Sequence, residues 1–224
     1  MILTQNADRD ILKDAGLAVG QGLIMGLGPW DEVAARHRGA EVLDLGRSMV
    51  LPGLVNAHTH APMTLFRGVG EDAPLMDWLA KKIWPLEGRL TPELVRLGAL
   101  LACAEMIRFG IRGFLDGYLY EEEVGRAVLE SGMRAVLGEG FFRFPTPMFP
   151  TAQACWDRVD AIRERFAECP RIGVSYCPHT VYTTAPESLA ESRELARRRG
   201  EIWQVHCSEN QAEVESCLVL FGKR

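Results

Sequence analysis

From residue 53 onward the sequence alternates short apolar runs with longer amphipathic ones, and this alternation restricts the fold more than any other feature. The longer runs carry helix-capping residues, such as Thr91 and Pro92 before one of them and Gly110 after it. A succession of strand-then-helix units predicts a parallel sheet with helical crossovers. We predict strands at 53–57, 111–116, 134–138, 172–177 and 202–206, and helices at 75–84, 92–109, 121–131, 151–168, 186–199 and 211–221.

Five such units fit either an open doubly wound sheet or five of the eight units of a (β/α)8 barrel. No glycine-rich phosphate loop follows the first strand, which weakens the nucleotide-binding version of the open sheet. The N-terminal region has a different texture. Apolar runs at 17–19 and 23–25 flank the turn-forming pair Gln21 and Gly22, which predicts a hairpin, and shorter strands are expected at 42–45 and 49–51.

Four of the five histidines follow predicted strands at their C-terminal ends: His58 and His60 after the first strand, His179 after the fourth and His206 at the end of the fifth. In parallel α/β folds this edge of the sheet carries the chemistry. Residues two apart in an extended segment point to the same side, so the imidazoles of His58 and His60 can reach one metal ion, and imidazole suits zinc. An HxH pair alone is a weak signal, but a third strand-end histidine makes this a candidate metal site.

Two glutamates and one histidine have two interpretations each. Glu209, three residues after His206, could move a proton between a metal-held water and a leaving group, or it could simply be stabilised by a helix N-terminus. His179 could contact substrate or be a structural histidine. Glu87 could bind substrate hydroxyls, although its position alone favours a solvated loop acid. The residues themselves leave these alternatives open.

The composition argues against several classes of partner. The formal net charge of −5 gives no reason to expect nucleic acid or an anionic membrane surface. No apolar stretch approaches the roughly 18 residues of a membrane span. Six cysteines without a CxxC pair are typical of reduced thiols. We therefore expect a cytoplasmic protein without a nucleic-acid or membrane partner, which leaves a small molecule as the substrate of any site it carries.

Together these motifs resemble the amidohydrolase superfamily, and within it the branch of methylthioadenosine/S-adenosylhomocysteine deaminases and related triazine-type chlorohydrolases. The likeness covers nearly the whole chain, and its matching stretches are PGLVNAHTH at 52–60, MTLFRG at 63–68, WPLE at 84–87, PH at 178–179 and HCSE at 206–209. The resemblance implies an α/β fold: a partial (β/α)8 TIM-type barrel of about five βα units at 53–224. It also implies that 1–52 form part of a small N-terminal β-sandwich.

Carried over residue by residue, the resemblance implies that His58, His60 and His206 bind one divalent metal ion, usually zinc. Glu209 would be the proton-transferring acid/base. The family reaction is hydrolytic deamination, in which water adds to an amino-bearing ring carbon and ammonia leaves. The expected function is thus a metal-dependent hydrolytic deaminase of an adenosine-like or other aminated heterocyclic substrate. The alternatives are a triazine chlorohydrolase or guanine deaminase of the same family, or a non-catalytic scaffold or inactive fragment.

The resemblance also assigns substrate contacts to Glu87, at ribose hydroxyls, and to His179. Two further metal-site residues of the family, a histidine after the sixth strand and an aspartate after the eighth, would lie beyond Arg224. The sequence hypothesis is therefore that this chain represents about half of a longer enzyme. Homo-oligomerisation is compatible with the resemblance.

Overall fold

The computed structural model describes residues 1–70, 72–143 and 151–223. The chain divides into two compact units, Met1–Gly53 and Leu54–Arg224. All six cysteines are unpaired. Among the helices in the described ranges, none has both the length and the apolar character needed to cross a bilayer.

The first unit consists of short antiparallel strands and one helix. Its elements are β1 (Ile2–Leu3), β2 (Ile11–Leu12), β3 (Ala15–Gly20), β4 (Leu23–Pro29) and α1 (Trp30–Arg36). β1 pairs with β2, and β3 pairs with β4. Between β3 and β4, Gln21 and Gly22 both have positive φ, as the central residues of a type I′ turn require, so the predicted hairpin is confirmed. α1 buries Val33 close to Gly16.

The strand predicted at 42–45 is wrong. These residues pair with no part of the chain that the structure describes, and the side chains of Val42 and Leu43 are 62% and 80% exposed. In the segment 49–51, Val50 forms an isolated parallel bridge with Ile2 instead of a strand. Apolar and β-branched residues favour a strand only where a neighbouring strand offers its backbone groups. Membership of the first unit in a β-sandwich stays a prediction.

The second unit contains a five-stranded, fully parallel sheet. Its strands, in both chain order and spatial order, are β5 (Leu54–Thr59), β6 (Ile111–Tyr118), β7 (Arg134–Phe141), β8 (Ile172–Pro178) and β9 (Ile202–Trp203). A doubly wound sheet reverses its strand order at a switch point, whereas a barrel adds each strand beside the last. The observed order therefore decides for part of a TIM-type barrel, and the five predicted βα units are confirmed.

Helical segments follow every strand of this five-stranded sheet. They are a 3-10 turn (Ala61–Phe66), α2 (Leu75–Trp78), a π-helical turn (Leu79–Ile83), α3 (Trp84–Glu87), α4 (Pro92–Arg108), α5 (Glu121–Ser131), α6 (Ala152–Arg165), α7 (Pro186–Arg199) and α8 (Gln211–Phe221). Thr91 caps α4, its hydroxyl accepting the Leu94 N–H, as the sequence predicts. The helix expected at 75–84 consists instead of α2 and the π turn and continues into α3.

The fifth strand is shorter than the predicted 202–206. Its ladder with β8 stops at Trp203. The chain nevertheless stays beside β8. Gln204 N–H donates to Tyr176 O at 3.0 Å, and His206 N–H donates to His179 O at 2.9 Å.

The core of the second unit lies between the sheet and the helices, and it includes carboxyl groups as well as apolar side chains. Val95, Ala99 and Cys103 of α4 recur at helical spacing and are fully buried. Glu139 is also fully buried, and it accepts the N–H groups of Tyr120 and Glu121 at the start of α5. Burial raises the pKa of Glu139 to about 7.

Candidate metal centre

Three histidines converge at the C-terminal edge of the sheet: His58 lies on β5, His60 directly follows β5, and His206 follows β9. The ligand atoms of His58, His60 and His206 all lie within 4.8 Å of one another. Their ring centroids are 5.0 to 5.2 Å apart. We refer to these three residues as the histidine cluster. The sheet curls enough to bring β5 and the end of β9 to one point, as a barrel requires.

Backbone carbonyls fix the tautomers of two of these rings. His60 Nδ1 lies 2.5 Å from Gly117 O, and His206 Nδ1 lies 3.0 Å from His179 O. A carbonyl oxygen only accepts, so each Nδ1 carries the proton and donates it. The lone pairs of both Nε2 atoms are therefore free, and these two atoms are 3.2 Å apart. Orientation of a ring by a hydrogen bond from its other nitrogen is typical of metal-binding histidines.

The separation of the two Nε2 atoms fits a shared cation. Two unprotonated nitrogens have no hydrogen to share at 3.2 Å and repel each other unless a positive charge lies between them. Zinc–nitrogen bonds of about 2.0–2.1 Å in tetrahedral geometry place two ligand nitrogens about 3.3 Å apart. Burial lowers the pKa of His60 to about 4, so this ring is neutral and available as a ligand at neutral pH. The donor set therefore suits one divalent cation.

Glu209 lies on the turn between the cluster and α8. Its side chain is exposed and accepts the Tyr182 hydroxyl at 2.9 Å. Burial lowers the pKa of His58, and the negative charge of Glu209 offsets part of this lowering. The buried Glu213 carboxylate accepts the N–H of Glu209 at 2.7 Å and that of Ser208 at 3.1 Å. These two hydrogen bonds tie the turn that carries Glu209 to the first turn of α8, and Glu209 lines the same pocket as His60 and His206.

His179 and Glu87 line the same pocket as His60 and His206 of the cluster. The ring centroid of His179 is 4.9 Å from that of His206, and its Nδ1 bonds the Thr183 hydroxyl at 2.8 Å. Burial lowers the pKa of His179 to about 3. Burial also raises the pKa of Glu87, an effect reduced by the Tyr118 hydroxyl, which donates to it at 2.7 Å. Glu87 is thus a partly buried, oriented carboxyl group and not the solvated loop acid that its position alone favoured.

The pocket combines these polar groups with an apolar wall. Besides the histidines, Glu87 and Glu209, it is lined by apolar side chains that include Met63, Leu75, Trp78, Trp84 and Phe142. A flat heterocycle could lie against such a wall with its polar edge towards the cluster. A separate cavity of about 360 Å³ lies at the opposite ends of the strands, but its Arg163 and Glu201 pair with each other.

Comparison with known proteins gives the family. The sequence profile described as "Amidohydrolase family" matches residues 49–224, which is more than half of the chain. The chain belongs to the amidohydrolase family. The predicted resemblance is therefore confirmed, and the matched residues include the histidine cluster, Glu87, His179 and Glu209.

Individual relatives agree with this assignment. A 5-methylthioadenosine/S-adenosylhomocysteine deaminase from Nitratidesulfovibrio vulgaris (strain Miyazaki F) is 46% identical over 223 residues, 100% of this chain and 51% of that protein. The structure of an adenosine deaminase from Xanthomonas campestris with bound zinc has a TM-score of 0.83 and 33% identity, and the match covers 95% of this chain and 49% of that one. Atrazine chlorohydrolase from Arthrobacter aurescens, complexed with zinc, shares the fold, with a TM-score of 0.78 at 17% identity over 99% of this chain and 54% of that one.

The chain spans about half the length of the curated relatives it matches. Sequence reasoning missed several residues that contact the candidate site. Tyr118 lies beyond the predicted end of its strand. Glu213 is buried, although nothing in the neighbouring sequence distinguishes it from a surface residue of a helix. Gln204 stands two residues before His206, and this spacing was the one available clue.

Proposed function

We propose that this chain supplies the metal-binding and proton-transfer groups of a zinc-dependent hydrolytic deaminase. One observation carries the proposal: the ligand atoms of three imidazoles from distant parts of the chain lie within 4.8 Å of one another. The carboxyl groups of Glu87 and Glu209 line the adjoining pocket. In this proposal His58, His60 and His206 are the metal ligands. The zinc-containing relatives support zinc as the ion.

Zinc bound there would supply Lewis acidity and would lower the pKa of a water molecule towards about 7. In this proposal Glu209 would accept a proton from the attacking water and would deliver it to the departing amino group. The overall reaction is balanced: water supplies the oxygen that forms the new carbon–oxygen bond, the carbon–nitrogen bond breaks, and ammonia leaves with the transferred proton. The carboxylate of Glu209 is exposed and accepts the Tyr182 hydroxyl, so it is accessible for proton exchange.

The substrate in this proposal is an adenosine-like compound. Glu87 accepts hydrogen bonds from a ribose diol, because Tyr118 orients its carboxylate and burial excludes competing water. His179 contacts the heterocycle near the reacting carbon, where its neutral ring acts as a hydrogen-bond partner. The deaminase names of the relatives support this substrate class over a chlorinated triazine.

The test uses the protein as isolated from its natural source, loaded with zinc. Adenosine, 5-methylthioadenosine, S-adenosylhomocysteine, guanine and atrazine are offered separately, and release of ammonia or chloride is measured. We expect ammonia from the adenosine-like compounds. Ammonia from guanine alone, chloride from atrazine alone, or no product from a zinc-loaded protein would each overturn the proposed substrate class.

A pair of variants tests the role of Glu209. Glu209→Gln is expected to lower kcat by a factor of about 10²–10⁴, the usual contribution of a positioned acid/base, with zinc content unchanged. Glu215→Gln is the matched control, since Glu215 lies on α8 and bonds the neighbouring Gln211. Full activity of Glu209→Gln would remove this residue from the mechanism. Cytoplasmic location and homo-oligomerisation stay predictions.

A further inference from the structure

The side chain of Gln204 spans the sheet from its fifth strand to its second. Gln204 follows β9, and its Nε2 group donates to the Ser175 hydroxyl of β8 at 2.8 Å and to the Asp116 carbonyl of β6 at 2.7 Å. Between these two strands it passes β7. One amide group thus connects segments separated by up to 88 residues of sequence.

Both ends of this connection lead to the histidine cluster. On β6, the Asp116 carbonyl that accepts from Gln204 is followed directly by Gly117, whose own carbonyl fixes the tautomer of His60. At the other end, Gln204 lies two residues before His206 in the chain. The amide therefore fixes the distance between the backbone that orients His60 and the backbone that carries His206.

Two glycines leave the space through which Gln204 passes. A Cβ atom on Gly138 of β7 would lie 2.4 Å from Gln204 Nε2 and 2.6 Å from Ser175 Oγ. A Cβ atom on Gly117 would lie 3.2 Å from Gln204 Oε1. Neither glycine has a positive φ, so backbone geometry does not require glycine at either position. Glycine inside a strand weakens it and marks a close approach of other groups. At Gly138 the nearest approaching group is Gln204, whereas at Gly117 the Cys177 sulfur would be nearer, at 2.8 Å, and Gln204 comes second.

We propose that Gln204 is a positioning residue that sets the 3.2 Å separation between His60 and His206 and so the cation affinity of the cluster. This inference rests on the proposed metal site. An amide is required because the Asp116 carbonyl needs a donor, which a carboxylate is not, and because the neutral group can be buried without a counter-charge.

Cobalt titration of the purified chain tests this role. Co²⁺ is added to apo protein in competition with a chelator, and its visible absorbance reports both affinity and ligand geometry. Gln204→Met keeps the length of the side chain but removes both donors, and we expect about 10- to 100-fold weaker binding with an altered spectrum, the usual loss for an outer hydrogen-bond partner of a metal ligand. Gly138→Ala, which blocks the same path, should give the same defect.

Matched controls separate positioning from general loss of structure. Gly173→Ala also adds a methyl group to a strand glycine, but its nearest neighbour would be Val136 Cγ2 at an ordinary 3.6 Å. Gln211→Met makes the same chemical change on α8. Both controls should bind Co²⁺ within about twofold of the unaltered protein. Urea unfolding of every variant identifies any whose fold is lost, and Gln204→Met and Gly138→Ala test the same contact independently.

A second measurement needs no metal. The ¹⁵N shifts of the His60 ring should report the Nδ1–H tautomer in the unaltered apo protein and a mixture of tautomers in Gln204→Met. If Gln204→Met keeps both the tautomer and the Co²⁺ affinity, the inference is overturned. If the unaltered chain binds no Co²⁺, the proposed metal chemistry fails. The His60 tautomer in Gln204→Met then tests the positioning role by itself: a mixture of tautomers supports this role, and an unchanged Nδ1–H tautomer overturns it.

Discussion

Gly98 of α4 offers a direct test of how packing supports the cluster. α4 lies against the 3-10 turn that follows His60, and the Thr64 hydroxyl donates to the Gly98 carbonyl at 2.7 Å. A Cβ atom on Gly98 would lie 2.5 Å from the Pro62 carbonyl oxygen and 3.0 Å from Leu65 Cγ. An ordinary contact begins at 3.4 Å, so Gly98→Ala must move the Pro62 backbone by about 0.9 Å (3.4 − 2.5).

Two opposing effects set the stability of Gly98→Ala. Alanine in a helix interior is favoured over glycine by about 1 kcal/mol, whereas over-packing a core contact costs about 1–3 kcal/mol. We expect a net loss of between zero and about 2 kcal/mol in the free energy of unfolding. Because Pro62 is two residues after His60, the displacement also reaches a proposed ligand, and we expect metal affinity to fall by about tenfold or more.

The assay combines urea unfolding with the cobalt competition titration. Gly88→Ala is the control with free space, since its nearest contact would be 3.5 Å; it should keep its metal affinity and should gain at most about 1 kcal/mol of stability. Gly125→Ala is the control for over-packing, because its Cβ would meet Phe166 at 2.4 Å without touching the turn after His60. It should lose stability but keep its metal affinity. The reasoning is refuted if Gly98→Ala binds Co²⁺ normally, or if Gly125→Ala loses affinity equally.

Two further predictions concern stability alone. The pKa of Glu139 is raised to about 7 from an ordinary 4.5. Between these two pH values the folded protein keeps a proton that the unfolded chain releases, so the free energy of unfolding falls as the pH rises. The upper limit of this fall is about 3 kcal/mol. Glu139→Gln should therefore flatten the decline in unfolding free energy between pH 5 and pH 8, and equal declines in both proteins would contradict the assignment. Thr91→Ala should cost about 1 kcal/mol by removing the cap of α4, measured by urea unfolding, and no change would mean that the Leu94 N–H finds another acceptor.

Local sequence patterns predict most of the barrel fold. The helix beginning after Thr91 and the hairpin around Gln21 and Gly22 depend on capping and turn residues whose effects extend over a few positions, and both are as predicted. The segment 42–45 has the same strand-like composition, yet it forms no strand, since a strand depends on a partner that local sequence does not specify.

The candidate site is predictable only in part for the same reason. The positions of His58, His60 and His206 at strand ends are visible in the sequence once the strands are recognised. The path of the Gln204 side chain past Gly138 cannot be predicted from the sequence. This path depends on the curl of the sheet, which brings Gln204 close to residues of β6, β7 and β8. Long-range contacts of this kind have no periodic signature.

The central claim is that His58, His60 and His206 share one cation. X-ray absorption spectroscopy of the zinc-loaded chain tests it most directly, with His206→Ala for comparison. We predict one zinc per chain with three imidazole nitrogens at about 2.0–2.1 Å, and loss of one imidazole with weakened binding in His206→Ala. Zinc bound through a sulfur atom such as that of the exposed Cys207, or a spectrum unchanged in His206→Ala, would contradict the account.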